Sequence, residues 1–291
     1  MPRVSKTQFT ETAPDLALAH GQGLGSPPNN GVGLVTEGSA GDPNYMASLA
    51  RGLAVIQAFS RERKSLSISQ ISQRTGIPRA AVRRCIYTLS KLGFVGAYDE
   101  RYFVLRPRVM TLGHAYLASA PLARAAQPVL KHVTNTLNEA SSVAILDGNE
   151  ILYIARSPAS RIMTIDLDIG SRLPAHYTSM GRVMLGALDD VEQDSRLKTL
   201  KFVKYTPNSI TTITSLKKEL SKVRKQGYAL IDQELEVDLR TIAVPIIDSE
   251  GRVVAATSVG LHAARASIED MVQRILPILR ESAAELSLLV G

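Results

Sequence analysis

The chain has 291 residues, 45% of them apolar, enough for about two cored domains at roughly 100–200 residues each. It carries no Trp and one Cys, which argues against a large stacking platform for single-stranded nucleic acid and excludes an internal disulfide or a cysteine-rich metal site. The net charge of +7 is unevenly spread: residues 45–124 hold 13 Lys and Arg against 3 Asp and Glu, while residues 1–44 and 125–291 are slightly acidic. Such a local excess is the footprint of a polyanion-binding module, or of a plain solvated basic face.

Residues 1–44 are rich in Gly, Pro, Asn and Ser and predict a disordered tail. Their GxG pieces follow no strand, so they are not a phosphate loop. The opening "MPRVSKTQFTETAPDL" lacks the apolar segment of a signal peptide. No uncharged apolar run nears the ~18 residues of a membrane span. A soluble cytoplasmic protein with no membrane partner is expected.

Leu49, Leu53, Ile56 and Phe59 recur at helical spacing and predict a helix over 46–60. "LSISQISQRTG" predicts a second, with Ser67 as N-cap, Gly76 as stop, and Ile68 and Ile71 facing the first. "GIPRAAVRRCIYTLSKLG" predicts a third over 78–92. Pro78 suits its first turn, Val82, Ile86 and Leu89 form its stripe, and Gly93 ends it. "FVGAYDERYFVL" reads as a hairpin about Asp99-Glu100-Arg101. Three helices and a hairpin make a winged helix-turn-helix over 45–107, whose third helix is the one expected in the major groove.

A linker follows over 108–124, with a short helix at 108–119 (Val109, Leu112, Tyr116). Residues 125–291 make a further domain. A helix over 121–138 leads into strand, Asp147-Gly148 turn, strand, and "RIMTIDLDIGSRLP" gives another strand. Helices are predicted over 178–188 and 214–227, a hairpin across Ser249-Glu250-Gly251, and a last helix with a Ser267/Asp270 capping box and a kink at Pro277. The result is an α+β fold with an antiparallel sheet flanked by helices.

Arginine donates two parallel hydrogen bonds to guanine or phosphate. Arg79 and Arg83, with Ala80 between them, are the candidates for base contact; Arg84, Arg101 at the hairpin tip, Ser69 and Gln73 suit the phosphate backbone. Cys85 reads as a small buried apolar residue rather than a thiol activated by Arg84. His20, His114, His132, His176 and His262 show no ligand spacing, so no metal is expected. GxSxG and GxxxxGK[ST] are absent, and no catalytic residue or cofactor is assigned. At "HYTSMGR", free N–H groups at a helix start attract anions. His176, Tyr177, Thr178 and Ser179 form either a carboxylate pocket there or an ordinary N-cap by Thr178.

"SLARGLAVIQAF", "ISQRTGIPRAAVRR", "GSRLPAHYTSMGRVML", "TPNSIT", "KVRKQGYALIDQELEVDLRTIAVPI" and "GRVVAATSV" resemble the IclR family of bacterial transcriptional regulators from about residue 45 to the C-terminus. The resemblance implies a winged helix, a linker helix supporting dimerisation, and a GAF-like effector domain, in dimers or tetramers on DNA. "IPRAAVRRCIYTLSKLG" and "LPAHYTSMGR" resemble the branch that controls aromatic-acid breakdown. That branch responds to protocatechuate, 4-hydroxybenzoate or β-ketoadipate, often as activators. Carried over by position, the effector site implies Ser179, Met180, Asp232 and Ser258. Thr241 stands where many members have Cys. Tyr177 stands where the branch often has Cys or Ala, and its bulk would narrow the pocket.

The sequence therefore leads to a homodimeric or homotetrameric regulator of a double-stranded operator, switched by a small carboxylic acid and, as an activator, addressing RNA polymerase. An enzyme with an appended DNA-binding domain and a ligand-free architectural protein are the alternatives.

Overall fold

The computed structural model describes residues 42–60, 63–159 and 167–290. The expected tail up to residue 41, and the part of the expected strand at 161–166, lie outside these residues.

The first unit holds helix α1 (Ala47–Gln57), strand β1 (Ser65–Ser67), α2 (Ile68–Thr75), α3 (Arg79–Lys91), and a hairpin of β2 (Val95–Ala97) and β3 (Tyr102–Leu105). Val55, Ile71, Val82 and Ile86 close its core. Ser67 caps α2 in a reciprocal box with Gln70, and Gly76 ends it at φ +71°, which L side chains rarely adopt. Side chains fix the turn into α3. Thr75 Oγ1 donates to the Ile71 carbonyl at 2.8 Å and accepts from Ile77 N–H at 3.2 Å, while Ser72 Oγ donates to the Ile77 carbonyl at 2.7 Å. Pro78 is the N-cap residue of α3, one place before the expected first turn.

Two features of this unit are not visible in the sequence pattern. Leu49 and Leu53 are 59% and 47% exposed. Ala54, Val55 and Ala58 make the core contact instead, because α1 carries two apolar stripes and this unit covers one. Strand β1, which pairs with β3 to make the wing three-stranded, was not foreseen. It is three residues long, and its last residue doubles as the α2 cap.

Helices α4 (Met110–Ser119) and α5 (Pro121–Leu137) lead to the second unit. No residue of α4 is buried; Met110, Leu112 and Tyr116 face solvent. The second unit is a six-stranded antiparallel sheet of β4 (Ala140–Asp147), β5 (Glu150–Ser157), β6 (Arg172–Pro174), β7 (Ala229–Asp232), β8 (Leu239–Ile247) and β9 (Val253–His262), in the order β6-β5-β4-β9-β8-β7. Helices α5 and α10 (Leu276–Ser287) cover one face; α6 (Ser179–Ala187) and α8 (Ile213–Gln226) lie over the other. The order α–β–β–β with closing helices gives the expected α+β sheet domain.

Smaller departures have local causes. The β4–β5 turn falls at Gly148–Asn149, one residue later than expected, since Asp147 pairs with Glu150. Helix α7 (Asp190–Lys198) was not foreseen, for only Gln193 and Leu197 on it are buried. After α9 (Ile268–Asp270) comes a π-helical stretch, Met271–Ile275, just before Pro277. Proline has no N–H to return to the preceding turn, so the expected kink takes this form.

One irregularity positions the site. Val143 pairs with Ala155 but Ala144 pairs with Tyr153, so Ile154 is an extra residue in β5. Ile154 and Ala155 both turn toward α5 and α10, and Tyr153 and Arg156 both turn toward α6.

Candidate functional site

Two regions carry chemistry. On the first unit, Ser69, Gln73, Arg79, Ala80, Arg83, Arg84 and Arg101 are all exposed. Arg79, Arg83 and Arg84 make no ion pair among the described residues. Val82, Ile86 and Leu89 anchor the opposite side of α3, so burying that stripe holds the arginines outward. At the wing tip, Asp99 Oδ1 accepts from the N–H groups of Arg101 and Tyr102, both at 2.7 Å, which fixes where Arg101 starts. On β2 the Arg106 guanidinium lies over Gly96, in the space a Cβ would take. Cys85 is half-buried, and burial pushes its thiol up against the pull of Arg51 and Arg84. That is the opposite of an activated nucleophile.

In the second unit, a partly enclosed cavity lies between the sheet and the start of α6. One cross-strand row supplies Arg156, Ser142 and Ser258; the next supplies Ala140, Gly260, Thr241 and Ile231. Tyr177, Thr178, Ser179 and Met180 form the wall from α6, with Tyr153, Leu167, Leu173, Leu235 and Leu239 as apolar lining. None of the described lining residues is acidic.

The start of α6 is built locally. Thr178 Oγ1 accepts from Gly181 N–H and donates to the Ala175 carbonyl, both at 3.1 Å. Gly181 lets the turn Ala175–Tyr177 press on the helix, where a Cβ would strike the Ala175 backbone. The cap uses the Gly181 donor and leaves the first-turn N–H groups of Ser179 and Met180 beside the cavity. Thr178 therefore caps the helix as the second reading of this segment has it, and the helix start also lines the cavity.

Behind this wall sits a buried ion pair. Arg182, 1% exposed, donates to both Glu234 oxygens at 2.7 and 2.5 Å and to the His176 carbonyl at 2.9 Å. Ser209 Oγ donates to the Glu234 carbonyl and Thr206 Oγ1 to that of Gln233, both at 2.6 Å. These bonds explain the "TPNSIT" and "DQE" segments as a clasp over the α6 start.

The cavity brings together Tyr177, Ser179, Met180, Thr241 and Ser258 of the expected residues. Tyr177 contributes its ring alone: its hydroxyl donates to the Val203 carbonyl and accepts from Val203 N–H, both at 2.7 Å. His176 and Asp232 are not in the lining. The His176 ring is buried against Tyr177 and Phe202. Burial and then the Arg182 charge push it down to about 4, against a smaller opposing pull from the Lys201 backbone. Asp232 is claimed by Arg240 across the β7–β8 register at 2.6 Å, and that hydrogen bond first of all holds its carboxyl below the usual range. Arg156, Ser142 and Tyr153 were missed. Strict alternation along β5 puts Tyr153 and Arg156 on opposite faces, and the bulge that unites them leaves no mark in the hydrophobic pattern.

The "IclR helix-turn-helix domain" matches residues 48–97, and "Bacterial transcriptional regulator IclR C-terminal" matches residues 114–288. The chain is 49% identical over 247 residues to the Pca regulon regulatory protein of Pseudomonas putida, covering 84% of each chain. It is 36% identical to the p-hydroxybenzoate hydroxylase transcriptional activator of Acinetobacter baylyi, over 85% of this chain and 93% of that one. Its fold is similar, with a TM-score of 0.71 and 25% identity, to an IclR homologue from Microbacterium hydrocarbonoxydans crystallised with 4-hydroxybenzoate, covering 84% of this chain and 98% of that one. With its helix-turn-helix, its α+β sheet domain and both family segments in order, the chain belongs to the IclR family of bacterial transcriptional regulators.

Proposed function

We propose that this cytoplasmic regulator reads an operator upstream of aromatic-acid catabolism genes as a dimer or tetramer, and is switched by a small carboxylic acid bound in the sheet-domain cavity. Residues 45–107 act as the DNA-binding module, with α3 in the major groove and the wing on the backbone. Arg79 and Arg83 with Ala80 meet the bases; Ser69, Gln73, Arg84 and Arg101 meet phosphates. Residues 125–291 take protocatechuate, 4-hydroxybenzoate or β-ketoadipate, with Tyr177, Ser179, Met180, Thr241 and Ser258 around it.

The observation that carries the reading is the cavity's lining: hydroxyls, apolar walls, a helix start and a guanidinium, with no carboxylate among the described lining residues. The relatives that regulate the Pca regulon and activate p-hydroxybenzoate hydroxylase support the pathway, and the 4-hydroxybenzoate complex supports the ligand class. The Acinetobacter relative also supports activation, for which RNA polymerase is the further partner. A second copy is supported by apolar side chains left in solvent: Leu49 and Leu53 on α1, and Met110, Leu112 and Tyr116 on α4. Residues 108–124 then form the lever, since an acid changes DNA binding only by favouring one dimer geometry over another.

The test is fluorescence anisotropy of DNA from upstream of the protein's own gene against scrambled DNA, at fixed salt, alone and with each of the three acids. Sequence-preferring binding that shifts with one acid is expected. Equal binding to scrambled DNA would support the architectural alternative. Turnover of the acid, read by chromatography, would support the enzyme. Ser258→Ala should weaken acid binding and leave operator affinity without acid unchanged.

A further inference from the structure

Five described arginines of residues 125–290 are buried or half-buried: Arg156, Arg172, Arg182, Arg196 and Arg240. Four close on a carboxylate: Arg172 on Asp147 and Glu150, Arg182 on Glu234, Arg196 on Glu192, and Arg240 on Asp232. Arg156 closes on none among the described residues. Its guanidinium faces the cavity, and its one side-chain hydrogen bond among the described residues is Nη1 to Ser142 Oγ at 3.5 Å, the limit of a hydrogen bond. A half-desolvated cation left this way is unfavourable, and an anion in the cavity relieves it.

Position reinforces the point. The extra residue Ile154 turns Arg156 onto the cavity face beside Tyr153, and Gln127 Nε2 on α5 donates to the Arg156 carbonyl at 3.3 Å, fixing the strand behind it. Ser142 and Ser258 continue the same cross-strand row, so two hydroxyls follow the guanidinium along one side, on β4 and then β9. The α6 start offers N–H groups too, but a helix end is worth only about half a charge. A guanidinium brings a full charge and two parallel donors matched to a carboxylate.

Resting on the effector reading above, we infer that Arg156, delivered by the β5 bulge, holds the acid's carboxylate, with Ser142 and Ser258 beside it. The α6 start then meets the opposite, hydroxyl-bearing end of the ligand. This reverses the orientation that the helix start suggests from sequence.

The experiment is isothermal titration calorimetry of the full chain with 4-hydroxybenzoate and protocatechuate, each against its neutral carboxamide, for wild type, Arg156→Gln and Arg156→Lys. Wild type should prefer each acid to its amide. In Arg156→Gln the acid should weaken about 30-fold, the scale of a charge-assisted pair, while the amide shifts less than about 3-fold. Arg156→Lys keeps the charge but not the fork and should lose about 5-fold in acid-over-amide preference; it decides the matter if the Gln variant does not fold. Acid binding that survives Arg156→Gln, or an unchanged preference in Arg156→Lys, overturns the assignment alone. β-Ketoadipate is titrated beside them: a wild type that binds it alone keeps the effector reading and overturns the assignment, whose ligand bears a hydroxyl, and one that binds none of the three acids overturns both.

Discussion

On α3 the guanidinium groups of Arg79, Arg83 and Arg84 stand in solvent without a carboxylate among the described residues, whereas in the sheet domain Arg172, Arg182, Arg196 and Arg240 each close on one. The difference begins in composition. Residues 45–124 hold 13 cations to 3 anions, so pairing cannot be complete, while residues 125–291 hold 19 to 20 and nearly every interior cation finds a partner. An unpaired arginine on a rigid helix is free to meet phosphate or guanine. A paired one holds the fold. Among the buried and half-buried arginines described there, Arg156 behaves like the first kind, and it faces a cavity rather than open solvent.

The comparison breaks most visibly at the buried pair. Glu234→Ala leaves the Arg182 charge buried without its anion and should cost about 3–5 kcal/mol in urea unfolding of the sheet domain. A loss under about 1 kcal/mol would show that the clasp is dispensable. The opposite region is tested next by Arg83→Ala, which should weaken operator binding by about 1–3 kcal/mol, while acid binding stays within experimental error. Undiminished DNA affinity would remove α3 from the interface.

A smaller effect is set by pH. His176 is held near 4, below the ordinary 6.5 of an unfolded histidine, so between these values the unfolded chain binds more protons than the folded one. Stability must then fall as pH drops from about 6.5 toward 4, by about 2 kcal/mol from this group between pH 7 and pH 5. His176→Phe should reduce that fall; an identical pH dependence in the variant would show that His176 does not titrate this way. Smallest of all, Cys85→Ala should leave operator affinity within about 2-fold, because a protonated, half-buried thiol offers DNA little. A large loss would bring Cys85 into the interface.

The comparison also separates what was legible from what was not. The α2 cap at Ser67, the stop at Gly76, the α3 stripe and the α6 cap at Thr178 are signals spanning four to eight residues, and they read correctly. His176 and Asp232 were placed in the pocket because they sit beside the right elements in sequence. The chain gives one to Tyr177 and Phe202 and the other to Arg240. Neither diversion is local: Phe202 lies on a later segment, and Arg240 meets Asp232 only through strand register.

By itself the sequence determined the helix-turn-helix, its basic face and the start of α6, because caps, left-handed glycines and charge excess act between near neighbours in the chain. Tertiary structure alone decided which apolar stripe of α1 is covered, which arginines find partners, and what the cavity wall contains. Arg156, Ser142 and Ser258 become one row only when β5, β4 and β9 pair, and Arg156 joins that face only through a one-residue bulge that no periodicity announces.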